Sequence, residues 1–108
     1  FMSAGGYRQT GLTISALSEH LDVPEHRLRR LINRHLGYRN FSSFVNSFRI
    51  EEARQTLRDE TQAHLPILTI AMDLGYASIG PFNRAFKDLT GTTPSEFRHN
   101  GDMPISEK

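Results

Sequence analysis

Apolar residues recur every three or four positions through most of this chain, which is the spacing of one helix face. Thr13 is placed to cap a first helix, with Leu12 and Leu17 as a hydrophobic staple across its start. Ile14, Leu17 and Leu21 continue that helix until Asp22-Val23-Pro24 interrupts it. Pro24 suits the first turn of a second helix, where its missing N–H would be unpaired in any case. Leu28, Leu31 and Ile32 face inward from it, and Gly37 supplies a stop. Asn40 caps a longer helix to about Leu57, roughly 27 Å long, with Phe41, Phe44, Val45, Phe48, Ala53 and Leu57 on its apolar side. A connector from Arg58 to Leu65 follows. Pro66 then opens a short helix carrying Ile67, Ile70 and Leu74 as far as Gly75. Ser78 caps the next, with Pro81 tolerated in its first turn, Phe82, Phe86 and Leu89 inward, and Gly91 at its end. Thr93-Pro94-Ser95-Glu96 reads as a capping box that starts a last short helix through Phe97. The expected fold is all-α, with about six helices and no strand.

The pattern is internally repeated. Leu17-Ser18-Glu19-His20-Leu21-Asp22-Val23 and Ile70-Ala71-Met72-Asp73-Leu74-Gly75-Tyr76 both read apolar, small, two polar, apolar, turn residue, apolar, at an offset of 53. One extra residue in the second copy makes the offset 54, and then Leu28 meets Phe82, Arg30 meets Arg84, Ile32 meets Phe86 and Gly37 meets Gly91. The small residue sits where two helices approach closely. The turn residue sits where a positive φ is expected, which Gly takes freely and Asp tolerates. Each copy is a helix-turn-helix, whose use is to project its second helix into a DNA major groove while the first crosses the backbone.

Composition narrows the class. The chain has 108 residues and 12.3 kDa, enough for one domain. Valine appears twice, against 18 Leu and Ala together, which favours helices over sheet. The absence of cysteine excludes disulfides and Cys-ligated metal. No apolar run approaches the ~18–20 residues of a membrane span and no signal-peptide pattern opens the sequence, so a cytoplasmic location is expected. The start at Phe1 suggests an excerpt of a longer protein. Residues 1–11 are expected to be a linker or the remnant of an N-terminal helix, and residues 99–108 a flexible tail.

The net charge is only +1, but it is unevenly spread. Six arginines (27, 29, 30, 34, 39 and 49) face one acid, Glu25, between Pro24 and Arg49. Between Ile50 and Asp73 the acids Glu51, Glu52, Asp59, Glu60 and Asp73 outnumber Arg54 and Arg58.

From about Leu12 to Arg98 the chain resembles the DNA-binding domain of AraC/XylS-type bacterial transcription regulators. The resemblance is carried by Arg49-Ile50-Glu51-Glu52-Ala53-Arg54-Gln55-Thr56-Leu57, Ile70-Ala71 and Leu74-Gly75-Tyr76. It continues through Phe82-Asn83-Arg84-Ala85-Phe86-Lys87 and Gly91-Thr92-Thr93-Pro94-Ser95-Glu96-Phe97-Arg98. It implies a homeodomain-like arrangement: a first helix-turn-helix over 12–38, a linking helix over 39–58, and a second helix-turn-helix with a short C-terminal helix over 66–98. It also implies double-stranded DNA as partner, a sensing domain elsewhere in the parent chain and an activator role, while the acidic stretch from Glu51 to Asp73 suits a contact with RNA polymerase. Asp22 stands where the family usually has Gly, and Pro24 and Pro66 stand where a Ser cap is common.

Two recognition helices on one monomer imply two adjacent major-groove segments about 34 Å apart. On the first helix the outward positions are Glu25, His26, Arg29, Arg30 and Asn33. Arg suits guanine, Asn adenine and Glu the cytosine amino group, and Arg29 and Arg30 are the leading base readers. The second helix offers Ser78, Ile79, Asn83, Arg84 and Lys87, with Ile79 suited to a thymine methyl. Gly80 and Pro81 donate nothing from a side chain, so the first motif is expected to supply most of the discrimination. Thr13, at a helix start, and Arg34 are candidate phosphate contacts.

No cofactor or metal is implied, and no enzyme. His20, His26 and His35 lack compact ligand spacing, and the adjacent Glu51 and Glu52 point in different directions on a helix. The Phe41/Phe44/Phe48 stripe reads as core. The competing reading is a helical protein-interaction module of the same fold without DNA binding.

Overall fold

The computed structural model describes residue 2 and residues 5–100. Six helices carry the described residues, and none of these residues forms a strand. Helix α1, Ile14–Leu21, starts where Thr13 Oγ1 accepts the Ala16 amide at 3.1 Å. Helix α2, Glu25–Arg30, follows Pro24, whose carbonyl accepts the Arg27 and Leu28 amides at 3.0 Å. Pro24 therefore stands just outside the helix, at ψ 141°, and not in its first turn. Pro66 does the same for helix α4, Ile67–Asp73. In both cases the ring fixes a helix-compatible φ while ψ stays extended, which starts the helix one residue later.

Helix α2 runs on into a wide π turn, Leu31–His35, in which the Leu36 amide reaches back five residues to the Leu31 carbonyl at 2.9 Å. Gly37, at φ 78°, ends it, with the Tyr38 amide bonded to Ile32 O at 3.0 Å. Helix α3, Phe41–Arg58, is capped by Asn40 Oδ1, which accepts the Ser43 amide at 2.8 Å. The connector is not plain loop. A 3₁₀ turn, Glu60–Gln62, forms where the Asp59 carboxylate accepts the Thr61 amide at 2.9 Å.

Helix α5, Ile79–Thr90, follows Ser78, which occupies the cap position without a side-chain capping bond. Helix α6, Pro94–Asn100, has the expected capping box: Thr93 Oγ1 accepts the Glu96 amide at 3.2 Å, and Glu96 Oε1 accepts the Thr93 amide at 3.1 Å. His99 and Asn100 thus belong to a helix where a flexible tail was expected; residues 101–108 lie outside the described residues.

The two repeat copies fold alike. The Val23 amide bonds Ser18 O, and the Tyr76 amide bonds Ala71 O, both at 3.1 Å. Asp22 turns the first at φ 57° and Gly75 the second at φ 101°. Two separate cores result. Leu17, Leu28, Ile32, Phe44 and Val45 make the first. Ile50, Ala53, Leu57, Ile70, Ala71, Leu74, Tyr76, Phe82, Ala85, Phe86 and Phe97 make the second. Helix α3 feeds both, its first half one and its second half the other.

Three leucines expected inside are exposed: Leu21, Leu31 and Leu89. The buried rows are the i,i+4 pairs Leu28–Ile32 and Phe82–Phe86. Leu31 is rotated about 100° from Ile32 and falls to the side of its row. Leu89 lies one turn past Phe86, beyond the contact with Phe97. Leu21 is the last residue of α1. Nor are residues 5–11 a loose linker: Gly6–Arg8 forms a 3₁₀ turn bonded to Arg49 and Glu52 of α3.

Candidate nucleic-acid interface

Burial of Leu28 and Ile32 fixes which way α2 faces. His26 and Arg30, one turn apart, lie on the side away from that row and are exposed. Arg29, Asn33 and Arg34 are exposed as well, while Glu25 is half-buried. Glu25 sits nearer the core side and pairs with Arg29 across one helical turn at 3.2 Å. An exposed pair of this kind contributes about 0–1 kcal/mol, so it does little to hold Arg29 in place. Arg29 and Asn33 line a small cleft of about 120 Å³ with Ile14, Arg39 and Asn40, between α2 and the start of α3. The hydroxyl of Thr13 is occupied as a cap, so what this helix start offers outward is main-chain N–H.

On α5, Phe82, Ala85 and Phe86 are buried, which turns Gly80, Asn83, Arg84 and Lys87 outward. A Cβ on Gly80 would lie 3.5 Å from Arg84 Nη1, so the guanidinium folds back over the glycine toward the helix start. Asn83, Arg84 and Lys87 border a shallow cleft of about 470 Å³ that reaches Thr93, Pro94 and Ser95 at the start of α6. Ser78 is exposed at the cap position. Ile79 is half-buried against the second core, which leaves only part of its side chain for a methyl contact.

Two features escaped the sequence reading. Arg39, which in the sequence is only one charge of a basic stretch, joins Arg29 and Asn33 at the first cleft. Arg49, also counted as part of the basic stretch, is buried at 9 % exposure, and burial lowers its pKa. It works inside the fold, and nothing in the charge pattern separates it from its exposed neighbours.

The acidic stretch lies elsewhere. Glu51, Glu52 and Asp59 line a cleft of about 690 Å³ on α3 with Tyr38 and Phe48. Glu52, Asp59 and Asp73 share a second of about 270 Å³. The Thr61 hydroxyl and amide hold the Asp59 carboxyl below the usual carboxylate range. Among the described residues no group of three or more His, Asp or Glu is placed to hold a metal ion, and no helix is long and apolar enough to cross a membrane.

Comparison with known proteins agrees with this geometry. The family described as "Helix-turn-helix domain" matches residues 17–100. An HTH-type transcriptional regulator of Staphylococcus aureus (strain MSSA476) is 38 % identical over 95 residues, covering 86 % of this chain; the chain spans 12 % of that relative's length. The C-terminal domain of AraT, a response regulator from Geobacillus stearothermophilus, superposes with a TM-score of 0.77 at 32 % identity, over 94 % of this chain and 79 % of that one. A transcriptional regulator from Chromobacterium violaceum, of the AraC-type DNA-binding domain-containing proteins, gives 0.71 at 25 % identity over 82 % and 76 %. With two like turns about one long helix and a family match over most of its length, the chain belongs to the AraC-type helix-turn-helix family of transcription-regulator DNA-binding domains.

Proposed function

We propose that this domain reads one face of double-stranded DNA with α2 and α5 in adjacent major-groove segments, as part of a longer bacterial transcription regulator. The observation that carries the reading is the duplicated turn, closed by the same main-chain bond on either side of α3, each followed by a helix with exposed Arg and Asn. In the first segment Arg30 and His26 point most directly outward, with Arg29, Asn33 and Glu25 at the flank. In the second, Arg84, Asn83 and Lys87 supply the chemistry, with lesser parts for Ser78 and Ile79. Arg34 and the amides after Thr13 meet phosphates. The overall length of 46 Å accommodates two helices about 34 Å apart.

Beside the Glu52 carboxylate that Arg8 already pairs, the clefts along α3 present exposed Glu51, Asp59 and Asp73, which suit a basic protein surface. We assign them to contact with RNA polymerase, and regulation to a sensing domain in the parent, with activation as the outcome.

The test is titration of a duplex selected from a random pool, and of unselected duplex, at several salt concentrations. Affinity should fall with a slope near −0.9 per phosphate neutralised. Arg30→Ala should cost about 1–3 kcal/mol on the selected duplex and little on the unselected one. An equal loss on both marks a phosphate contact instead. No binding at low salt overturns the reading and leaves the protein-interaction module.

A further inference from the structure

We propose that residues 5–11 form a clasp that fixes the spacing of the two recognition helices, with Arg49 and Tyr7 as its positioning residues. The proposal rests on the reading that both helices engage DNA together. The two motifs have separate cores, and Tyr7 packs against both. Its ring stacks on Phe48 at 5.6 Å, and its hydroxyl donates to Glu52 at 2.5 Å. Arg8 pairs with the same carboxylate at 2.8 Å.

Arg49 holds the clasp from below. Its Nε donates to Tyr7 O at 2.7 Å and its Nη2 to Gln9 O at 3.0 Å. Its guanidinium also sits 5.0 Å from the centre of the Tyr76 ring, in the turn of the second motif. That turn presses on the clasp directly: a Cβ on Gly75 would lie 2.6 Å from Arg8 O and 2.9 Å from Arg49 Nη2. At its other end the clasp leads through Gly11 and Leu12 to Thr13, the cap of α1. One continuous path therefore runs from the first motif, through the clasp and Arg49, to the second. Helix α3 alone is an axle about which the motifs can rock, whereas a third connection across its side closes a triangle. A planar guanidinium gripping two carbonyls suits that task, since its donors are fixed in direction.

The chain has no cysteine, so Arg27→Cys and Asp88→Cys introduce a spin-label pair that reports the distance between α2 and α5 without DNA. The parent pair should give one narrow distance distribution. Arg49→Met, and separately Tyr7→Ala with Glu52→Ala, should broaden it about twofold. Leu57→Ala, a core deletion that destabilises without touching the clasp, should not. An unchanged distribution in both clasp variants, each folded by circular dichroism, overturns the proposal.

A second readout uses a duplex selected by the parent domain, re-synthesised with two base pairs inserted between its two contacted segments. The insertion rotates one segment by roughly 70° against the other. The parent should lose about tenfold or more in affinity, and the clasp variants less than about threefold, with binding to each isolated segment retained. Equal spacing penalties in parent and variants also overturn the clasp. A parent that selects no two-segment duplex sinks the DNA reading, while the distance distributions still judge whether the clasp sets helix spacing.

Discussion

Ile32 and Phe86 occupy equivalent places in the two repeats, and each is almost wholly buried, at 1 % and 0 % exposure. They belong to cores of unequal size: five buried residues with Ile32 among them, and eleven with Phe86 among them. Truncating Ile32 to Ala removes three carbons, about 2.4 kcal/mol of transfer free energy at ~0.8 per methylene, and the residual cavity brings the cost to about 3. Phe86→Ala removes a ring that meets Phe97 edge-on at 5.3 Å and Phe82 at 5.8 Å, and costs about 4 kcal/mol. Against a total stability of about 5–15 kcal/mol, either change is large.

The two losses should be felt in different places. Native-state hydrogen exchange on the Ile32→Ala variant should show α1 and α2 amides opening more easily by about 3 kcal/mol, with α4 and α5 changed by less than about 1. Phe86→Ala should do the reverse, with α6 following α5. An equal drop across all helices in both variants would show that the cores act as one cooperative unit and would refute the argument from separate clusters.

Asn40→Ala should destabilise the domain by about 1 kcal/mol in urea unfolding, because the Ser43 amide loses its acceptor at the start of α3. Burial holds the Tyr76 phenol up to about 12, from an ordinary value of 10.0, so the fold favours the neutral form. Its contribution is complete below pH 10 and is lost as pH rises toward 12; stability should fall by roughly 1–2 kcal/mol more between pH 9 and 11.5 than in Tyr76→Phe, measured by urea melts. Asp22→Gly relieves a left-handed residue at φ 57° but loosens the unfolded chain, and the thermal midpoint should rise by a few degrees at most. A fall of the midpoint would mean that the Asp22 side chain stabilises its own turn.

The helices, their caps and the repeat were legible because each depends on neighbours in sequence. Thr13, Asn40 and the Thr93–Glu96 box are local hydrogen-bond patterns, and the Asp22 and Gly75 turns are local backbone geometry. The outward faces of α2 and α5 followed from the same periodicity. What was not legible depends on distance along the chain. Arg49 is one arginine among six until Tyr7 and Gln9, some forty positions away, are seen to occupy it. The segment 5–11 has no periodicity to announce that it is docked. The π turn over Leu31–His35, in which the Leu36 amide reaches back to the Leu31 carbonyl, has no signal in the 3.6-residue pattern.

The two turns reside on one polypeptide, and this has a consequence for how such a reader changes. In a symmetric dimer every substitution appears twice, so the recognised sequence must stay palindromic and both halves must change together. Here a single codon alters one recognition helix and leaves the other untouched. The two helices are free to diverge, as Ile32 and Phe86 already have. In a DNA-binding domain built this way one half can keep its contacts while the other drifts toward a new preference, so the path to a new target runs through single steps that each retain partial binding.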